Sequence, residues 1–338
     1  MEYTDIVTAC LENERQTLSE YAFCTADTKG REKPYEPSIV RTEYQRDRDR
    51  IIHSQSFRRL MYTTQVFLSP TGDHYRTRMT HTLEVTQIAR IIARALRLNE
   101  DLTEAAALGH DLGHTPFGHA GENAMQKCFD PDFTHYAQSL RVVDILENEG
   151  EGLNLTWEVR DGIVNHTGSN MASTLEGVIV KYADRIAYIN HDIDDACRAG
   201  ILSREDIPAE LCRTLGEGHS DRINTMVTSI IRASAHRPAI VMEDDIQEAA
   251  NKLREFLFEN VYRNPIAKSE ESKAQDMLMF LFDYYVKNPD KLPPLYQKRR
   301  EIDAIERCVC DFISGMTDRY ATEMFTDICV PKVWRGRQ

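Results

Sequence analysis

Between Thr80 and Leu98 the apolar positions recur at intervals of three and four, so that His81, Val85, Ile88, Ile92 and Ala95 share one helical face. A histidine heads an otherwise apolar stripe. On the next segment, behind a cap near Asn99 or Asp101, Leu102, Ala106 and His110 repeat the pattern, and here a histidine ends it. The stretch from Thr174 to Ala196 is apolar nearly all round, which predicts a buried helix. Yet Asp184, Tyr188, His191 and Asp192 fall at offsets of zero, four, seven and eight, giving that helix one polar face. Beyond Gly200 the pattern predicts amphipathic helices broken at Pro208, Pro238, Pro265 and Pro293 to Pro294, without repeats. Strand-like alternation is confined to a short stretch from Tyr62 to Leu68, with residues near His74 as its partner. The expected fold is mainly α, with at most a small β-hairpin. Residues 1–40, polar and punctuated by Gly30, Pro34 and Pro37, predict a short helix and an irregular arm. Residues 41–338 form one unit, with a core over 76–198 that carries the chemistry and a C-terminal helical part over 200–338.

Composition narrows the class. Of the 338 residues, 41% are hydrophobic and 28% charged, the balance of a globular protein able to bury its own core. No apolar run approaches the roughly 20 residues that span a bilayer, and the opening residues lack the basic-then-apolar order of a signal peptide. A cytoplasmic location without membrane attachment is expected. Eight scattered cysteines with no C-x-x-C spacing read as reduced thiols. A net charge of -13 argues against a broad grip on duplex DNA, since that affinity comes from neutralising phosphates with Lys and Arg. Locally the sign reverses: Arg41, Arg46, Arg48, Arg50, Arg58 and Arg59 crowd one stretch, with Arg76 and Arg78 close behind. Such a cluster suits a polyphosphate or an acidic partner, or else pairs with Glu43, Asp47 and Asp49.

The inward-facing ionisable residues come from three helices: His81, the dyad His110-Asp111, and Asp184. Burying two imidazoles and two carboxylates together costs several kcal/mol in desolvation and repulsion unless a cation is shared between them. This mixed nitrogen and oxygen set accommodates Mn, Fe, Ni, Co or Zn, and less comfortably Mg. A denser cluster follows, HDLGHTPFGHAGE from His110 to Glu122. It places three histidines and two acids among glycines and a proline that stop the helix and let the backbone approach a ligand closely.

These residues resemble the HD-domain superfamily. With YADRIAYINHDI from Tyr182 to Ile193, RDRDRIIHSQSFRRLMYTTQVF from Arg46 to Phe67, RTRMTHTLEVTQIARIIA from Arg76 to Ala93 and FISGMTDRYA from Phe312 to Ala321, the chain is similar in particular to the dGTP triphosphohydrolases. The resemblance implies an HD-domain helical bundle with additional C-terminal helices, and an enzyme that splits a deoxynucleoside triphosphate into deoxynucleoside and tripolyphosphate. It implies one divalent ion per chain (Mn, Mg, Fe, Ni, Co or Zn), held by His81, His110, Asp111 and Asp184. His119 and Glu122 become the catalytic pair beside the α-phosphorus, with His114, Arg78, Arg185 and His135 along the phosphates. Gln65 and Asp192 are implied to read the sugar 3′ hydroxyl, with Tyr188 stacked under the deoxyribose. Family members commonly assemble into tetramers or hexamers, so a homo-oligomer is expected, and single-stranded nucleic acid or a dNTP effector joins the substrate among candidate partners.

Two other readings stay open. One is an HD hydrolase acting on a nucleoside monophosphate, a cyclic nucleotide or an alarmone. The other is a non-catalytic nucleotide-sensing or single-strand-binding protein with a structural metal, against which His119 and Glu122 argue because a sensor needs no proton carrier.

Overall fold

A computed structural model describes residues 4–65, 76–262 and 265–332. Seventeen helices are described: α1 (Thr4–Thr17), α2 (Glu43–Ile52), α3 (Gln55–Arg59), α4 (Arg78–Ala95), α5 (Glu100–Gly109), α6 (His119–Cys128), α7 (His135–Arg141), the single turn α8 (Glu147–Gly150), α9 (Trp157–Val164), α10 (Leu175–Arg198), α11 (Ala209–Leu215), α12 (His219–Ser234), α13 (Asp244–Leu257), α14 (Pro265–Lys287), α15 (Pro294–Arg299), α16 (Ile305–Ser314) and α17 (Asp318–Cys329). The mainly α class therefore holds. Among the described residues there is no sheet, only the isolated bridges Thr64 to Thr77 and Arg31 to Thr156. Residues 66–68 of the Tyr62 to Leu68 stretch and its partner near His74 lie outside the described residues.

Local chemistry sets the helix starts. The Asn99 side-chain oxygen accepts from Leu102 N at 3.1 Å to open α5, and Thr174 Oγ1 accepts from Gly177 N at 3.1 Å to open α10. Ahead of α4, Thr77 and Thr80 cap each other reciprocally, at 3.0 and 3.3 Å. Pro265 and Pro294 stand first in their helices, where a missing N–H is no loss. The expected stripes point inward: His81, Val85, Ile88, Ile92, Leu102, Ala106 and His110 are buried. Ala95 departs from its stripe and is exposed, as the last residue of α4 before the chain turns through a left-handed Arg97, φ 55°.

Three apolar clusters result. The largest gathers α4, α5 and α10 with α11, α12 and α13 around residues such as Ile88, Ile179 and Leu253. A second joins α2, α5 and α9 through Tyr44, Leu102 and Ile163. A third joins α6 to α14 and α16 through Met125, Leu278 and Ile313. Helix α9 nests closely because Gly162 faces Gly177 of α10, and a methyl group at Gly177 would lie 3.3 Å from Gly162 Cα and 2.6 Å from Ala172 Cβ. Arg31 also enters the interior, its fully buried side chain paired with Asp47 and, at 2.7 Å, with Glu43. No helix among the described residues is long and apolar enough to cross a membrane.

Candidate active site

The four residues expected to hold a metal meet where α4, α5 and α10 cross. His81 Nε2 lies 3.0 Å from Asp184 Oδ1, and His110 Nε2 lies 3.4 Å from Asp111 Oδ2 and 3.9 Å from Asp184 Oδ1. An ion with bonds of about 2.1 Å sets neighbouring donor atoms roughly 3.0 to 3.4 Å apart, a range that the first two separations meet and the third exceeds. The hydrogen bonding supplies an independent test of fit. His110 Nδ1 is 2.7 Å from Ala107 O, which fixes the proton there and turns the Nε2 lone pair towards the two carboxylates. That buried Nε2 has no hydrogen-bond partner. A lone pair aimed at carboxylate oxygens calls for a positive charge between them, and the donor set fits a divalent metal.

Electrostatics say the same. Burial works against a charged His110, but Asp111 and Asp184 outweigh it and raise its pKa to about 9. Burial would likewise raise Asp184, yet the hydrogen bond from His81 and the nearby imidazoles bring it to about 2. Asp111 is held well below the carboxylate range against its burial, by His110 and by Arg78. The pocket is therefore built around negative charge seeking a cation.

A second row of residues adjoins this centre. His114 is buried and stacks on His135 with ring centroids 4.6 Å apart; its burial and the neighbouring Arg78 keep it neutral. Glu122 lies between two imidazoles, 3.1 Å from His135 Nδ1 and 3.5 Å from His119 Nδ1. Its carboxylate also accepts from His135 N at 3.0 Å, and despite burial the two histidines hold it far down. The His119 side chain is 80% exposed, the position a group needs if it is to meet a ligand arriving from solvent. The row has a rigid floor. Gly113 N donates to Ser139 Oγ at 2.9 Å, Ser139 Oγ donates to His110 O at 2.8 Å, and a side chain at Gly113 would strike Ser139 N at 2.1 Å.

The remaining candidates are placed less uniformly. Arg78 is buried and engaged with Asp111 Oδ2 at 2.5 Å and Thr64 O at 3.1 Å. Gln65 Oε1 is buried without a partner, and Gln65 O lies near Gly118. Asp192 is buried with Oδ1 unpaired, and burial beside Asp195 and Asp184 raises its pKa well above the usual value. Tyr188, two turns before Asp195 on α10, has a phenol raised to about 12 by burial. Arg185 turns instead to Asn251 of α13, with its Nε buried and unpaired. The arginine cluster before Arg76 is committed internally: Arg41 pairs with Asp49, Arg46 with Glu43, and Arg48 with Asp101 and Glu104, while Arg50 donates to Leu153 O and Asn154 O. These groups knit α2 to its neighbours rather than facing a polyphosphate.

Two buried histidines were not read as site residues from the sequence. His166 Nδ1 is 2.7 Å from Ile163 O, as His110 is from Ala107 O, and its ring packs 4.9 Å from that of His110; with His110 and Asp184 it forms a further group able to hold a metal. The shared signal is a histidine just past a helix end, bonded back to the carbonyl three residues earlier. His191, on the polar face of α10, touches His81.

Known proteins resemble the chain along nearly its whole length. The HD domain model matches residues 78–189, and the phosphohydrolase-associated domain model matches residues 240–327. A deoxyguanosinetriphosphate triphosphohydrolase-like protein of Caldanaerobacter subterraneus subsp. tengcongensis is 55% identical over 96% of this chain and 95% of its own. Proteins of the same description from Desulfatibacillum aliphaticivorans and Clostridium tetani are 49% and 47% identical, over 95% and 91% of this chain and 97% and 91% of theirs.

Proposed function

The chain belongs to the family of deoxyguanosinetriphosphate triphosphohydrolase-like proteins, HD-domain phosphohydrolases, and from that premise we propose that it cleaves deoxynucleoside triphosphates at the α-phosphorus. The products are a deoxynucleoside and tripolyphosphate. The observation that carries the reading is the convergence of His81, His110, Asp111 and Asp184 around the unpartnered His110 Nε2, with His114, His119, Glu122 and His135 alongside.

His81, His110, Asp111 and Asp184 would hold one divalent ion. When bound, it supplies Lewis acidity, lowering the pKa of water and offsetting charge on a phosphoryl oxygen. The rest is the work of the chain's own side chains. Glu122, held ionised between His119 and His135, fixes the His119 ring, so that this exposed imidazole exchanges a proton with the attacking water or the leaving 5′ oxygen. His114, kept neutral, offers a hydrogen bond. Arg78 releases part of its hold on Asp111 to a phosphate, and the phosphoryl group is stabilised mainly by position and charge. Arg185 follows Asp184 directly on α10 and would have to leave Asn251 to contact the phosphates. The buried, unpaired oxygens of Gln65 and Asp192 are acceptors for a sugar hydroxyl, and Tyr188 stands on the same face of α10 as Asp184 and Asp192.

The test is incubation with each dNTP and with GTP over several divalent metals, followed by separation of nucleoside from nucleotide. Deoxynucleoside and tripolyphosphate are the expected first products, with GTP a poor substrate. His119→Ala and Asp184→Asn should each lower turnover by about 100-fold or more. Orthophosphate or pyrophosphate as the first product would instead mark a different HD phosphohydrolase.

A further inference from the structure

His81 and His110 occupy equivalent roles in the candidate metal site, yet their second ring nitrogens are treated differently. A histidine that gives one nitrogen to a cation must carry its proton on the other, and that N–H needs an acceptor. His110 finds one within its own helix, at Ala107 O. His81 lies in the first turn of α4, and its Nδ1 instead meets Nδ1 of His191, 3.3 Å away on α10. His191 is fully buried, with its ring set nearly perpendicular to that of His81, at 86°, and stacked parallel to His219 of α12. Its other nitrogen, Nε2, lies against the carboxylate of Glu84, which Arg76 Nε also contacts at 3.2 Å.

From this arrangement we infer that His191 is a positioning residue for the metal site, accepting the Nδ1 proton of His81 so that the His81 Nε2 lone pair faces the ion. The inference rests on the proposed metal site. Each proton then has one place. With Nδ1 of His191 accepting, its own proton sits on Nε2, facing Glu84, and Arg76 holds Glu84 in turn while reaching Asp195 at 3.3 Å. The chain of contacts runs from α4 to α10, back to α4, and on to α10 again. His191 follows Asp184 by seven residues, two helical turns, so one face of α10 supplies both a candidate ligand and the group that orients another. Replacing the acceptor leaves His81 free to adopt the opposite tautomer, with a proton on Nε2 donated to Asp184 at 3.0 Å, and this competes directly with a metal.

Two variants separate an acceptor from a packing ring. His191→Phe keeps a ring against His219 but cannot accept a proton; His191→Asn keeps an acceptor near the Nδ1 position but loses the ring. Mn(II) affinity is measured by competition with a chromophoric chelator, and the stability of the metal-free protein by urea denaturation. The expected result is a crossing. His191→Phe weakens Mn(II) binding about 10- to 100-fold with little change in metal-free stability. His191→Asn binds Mn(II) close to wild type while losing stability. If His191→Phe bound Mn(II) as tightly as wild type, or His191→Asn bound it as weakly as His191→Phe, the assignment would be wrong. Failure of the wild-type protein to take up Mn(II) would overturn the proposed function itself, together with this inference. A wild-type enzyme that binds Mn(II) and hydrolyses dNTPs, alongside an unaffected His191→Phe, would overturn only the role of His191.

Discussion

Glu176 stands in the first turn of α10, where the helix dipole favours an anion, but burial dominates and raises its pKa to about 7. Oε1 accepts from Phe23 N at 2.9 Å and Asn99 N at 3.0 Å, which recovers only part of the loss, and the neighbouring Glu14 adds repulsion. The folded pKa thus exceeds the ordinary 4.5, so the unfolded chain gives up this proton first. The contribution of Glu176 to stability is full below pH 4.5 and is lost as pH rises through about 7, a loss on the order of 3 kcal/mol. Glu176→Gln should therefore gain stability relative to wild type between pH 5 and pH 8, as read from urea midpoints. A difference between the two proteins that stays constant with pH would refute the assignment. Nothing in the sequence marks this residue, because its surroundings are assembled from Phe23, Asn99 and Glu14, far away in the chain. Placement that depends on helical spacing was legible: His81, His110 and Asp184 each stood on a face that periodicity defines, and they come together. His191 stood on such a face too, but its use depends on which nitrogen meets His81, and that is a matter of how two helices cross. His166 belonged to no stripe at all.

At the level of elements, caps and breaks were the readable part. Asn99, Thr174, Pro265 and Pro294 act locally, so a single sequence suffices to place them. What holds the loop between α5 and α6 is not local. Arg59 of α3 is half-buried, its pKa pushed down to about 10 by desolvation, and it donates to Leu112 O, His114 O and Met316 O at 2.7 to 3.0 Å. Asp318, the first residue of α17, accepts from Phe117 N at 2.8 Å and Thr64 N at 2.9 Å. Phe117 needs such an anchor, since it holds a left-handed conformation, φ 62°, that a bulky side chain disfavours. Asp318→Ala leaves both amides unpaired and should lower stability by about 3 kcal/mol while also slowing dNTP hydrolysis. Equilibrium denaturation and steady-state rates on the same preparation check both halves. An unchanged turnover number would mean that α17 does not support the loop.

For the whole molecule, binding of an ion to the folded state alone raises stability by about 3 kcal/mol at a hundredfold excess over Kd. Thermal unfolding with Mn(II) and after chelation should therefore differ by several degrees, and substitution of Asp184 by Asn should shrink that gap. The net charge of -13 argued against a broad grip on duplex DNA, and the crowded arginines after Arg41 serve as internal fastenings. Glu43 and Asp49 were partners that spacing could offer, whereas Asp101 and Glu104 sit on another helix and so were beyond it. The anchoring of Thr64 and Phe117 by Asp318 has a consequence for biosynthesis. A ribosome that has emitted the first 200 residues has already delivered every candidate reacting group, yet the loop bearing them still lacks its clasp. On the proposed function, competence would await synthesis of Asp318, so a fragment released before that residue should hydrolyse dNTPs poorly.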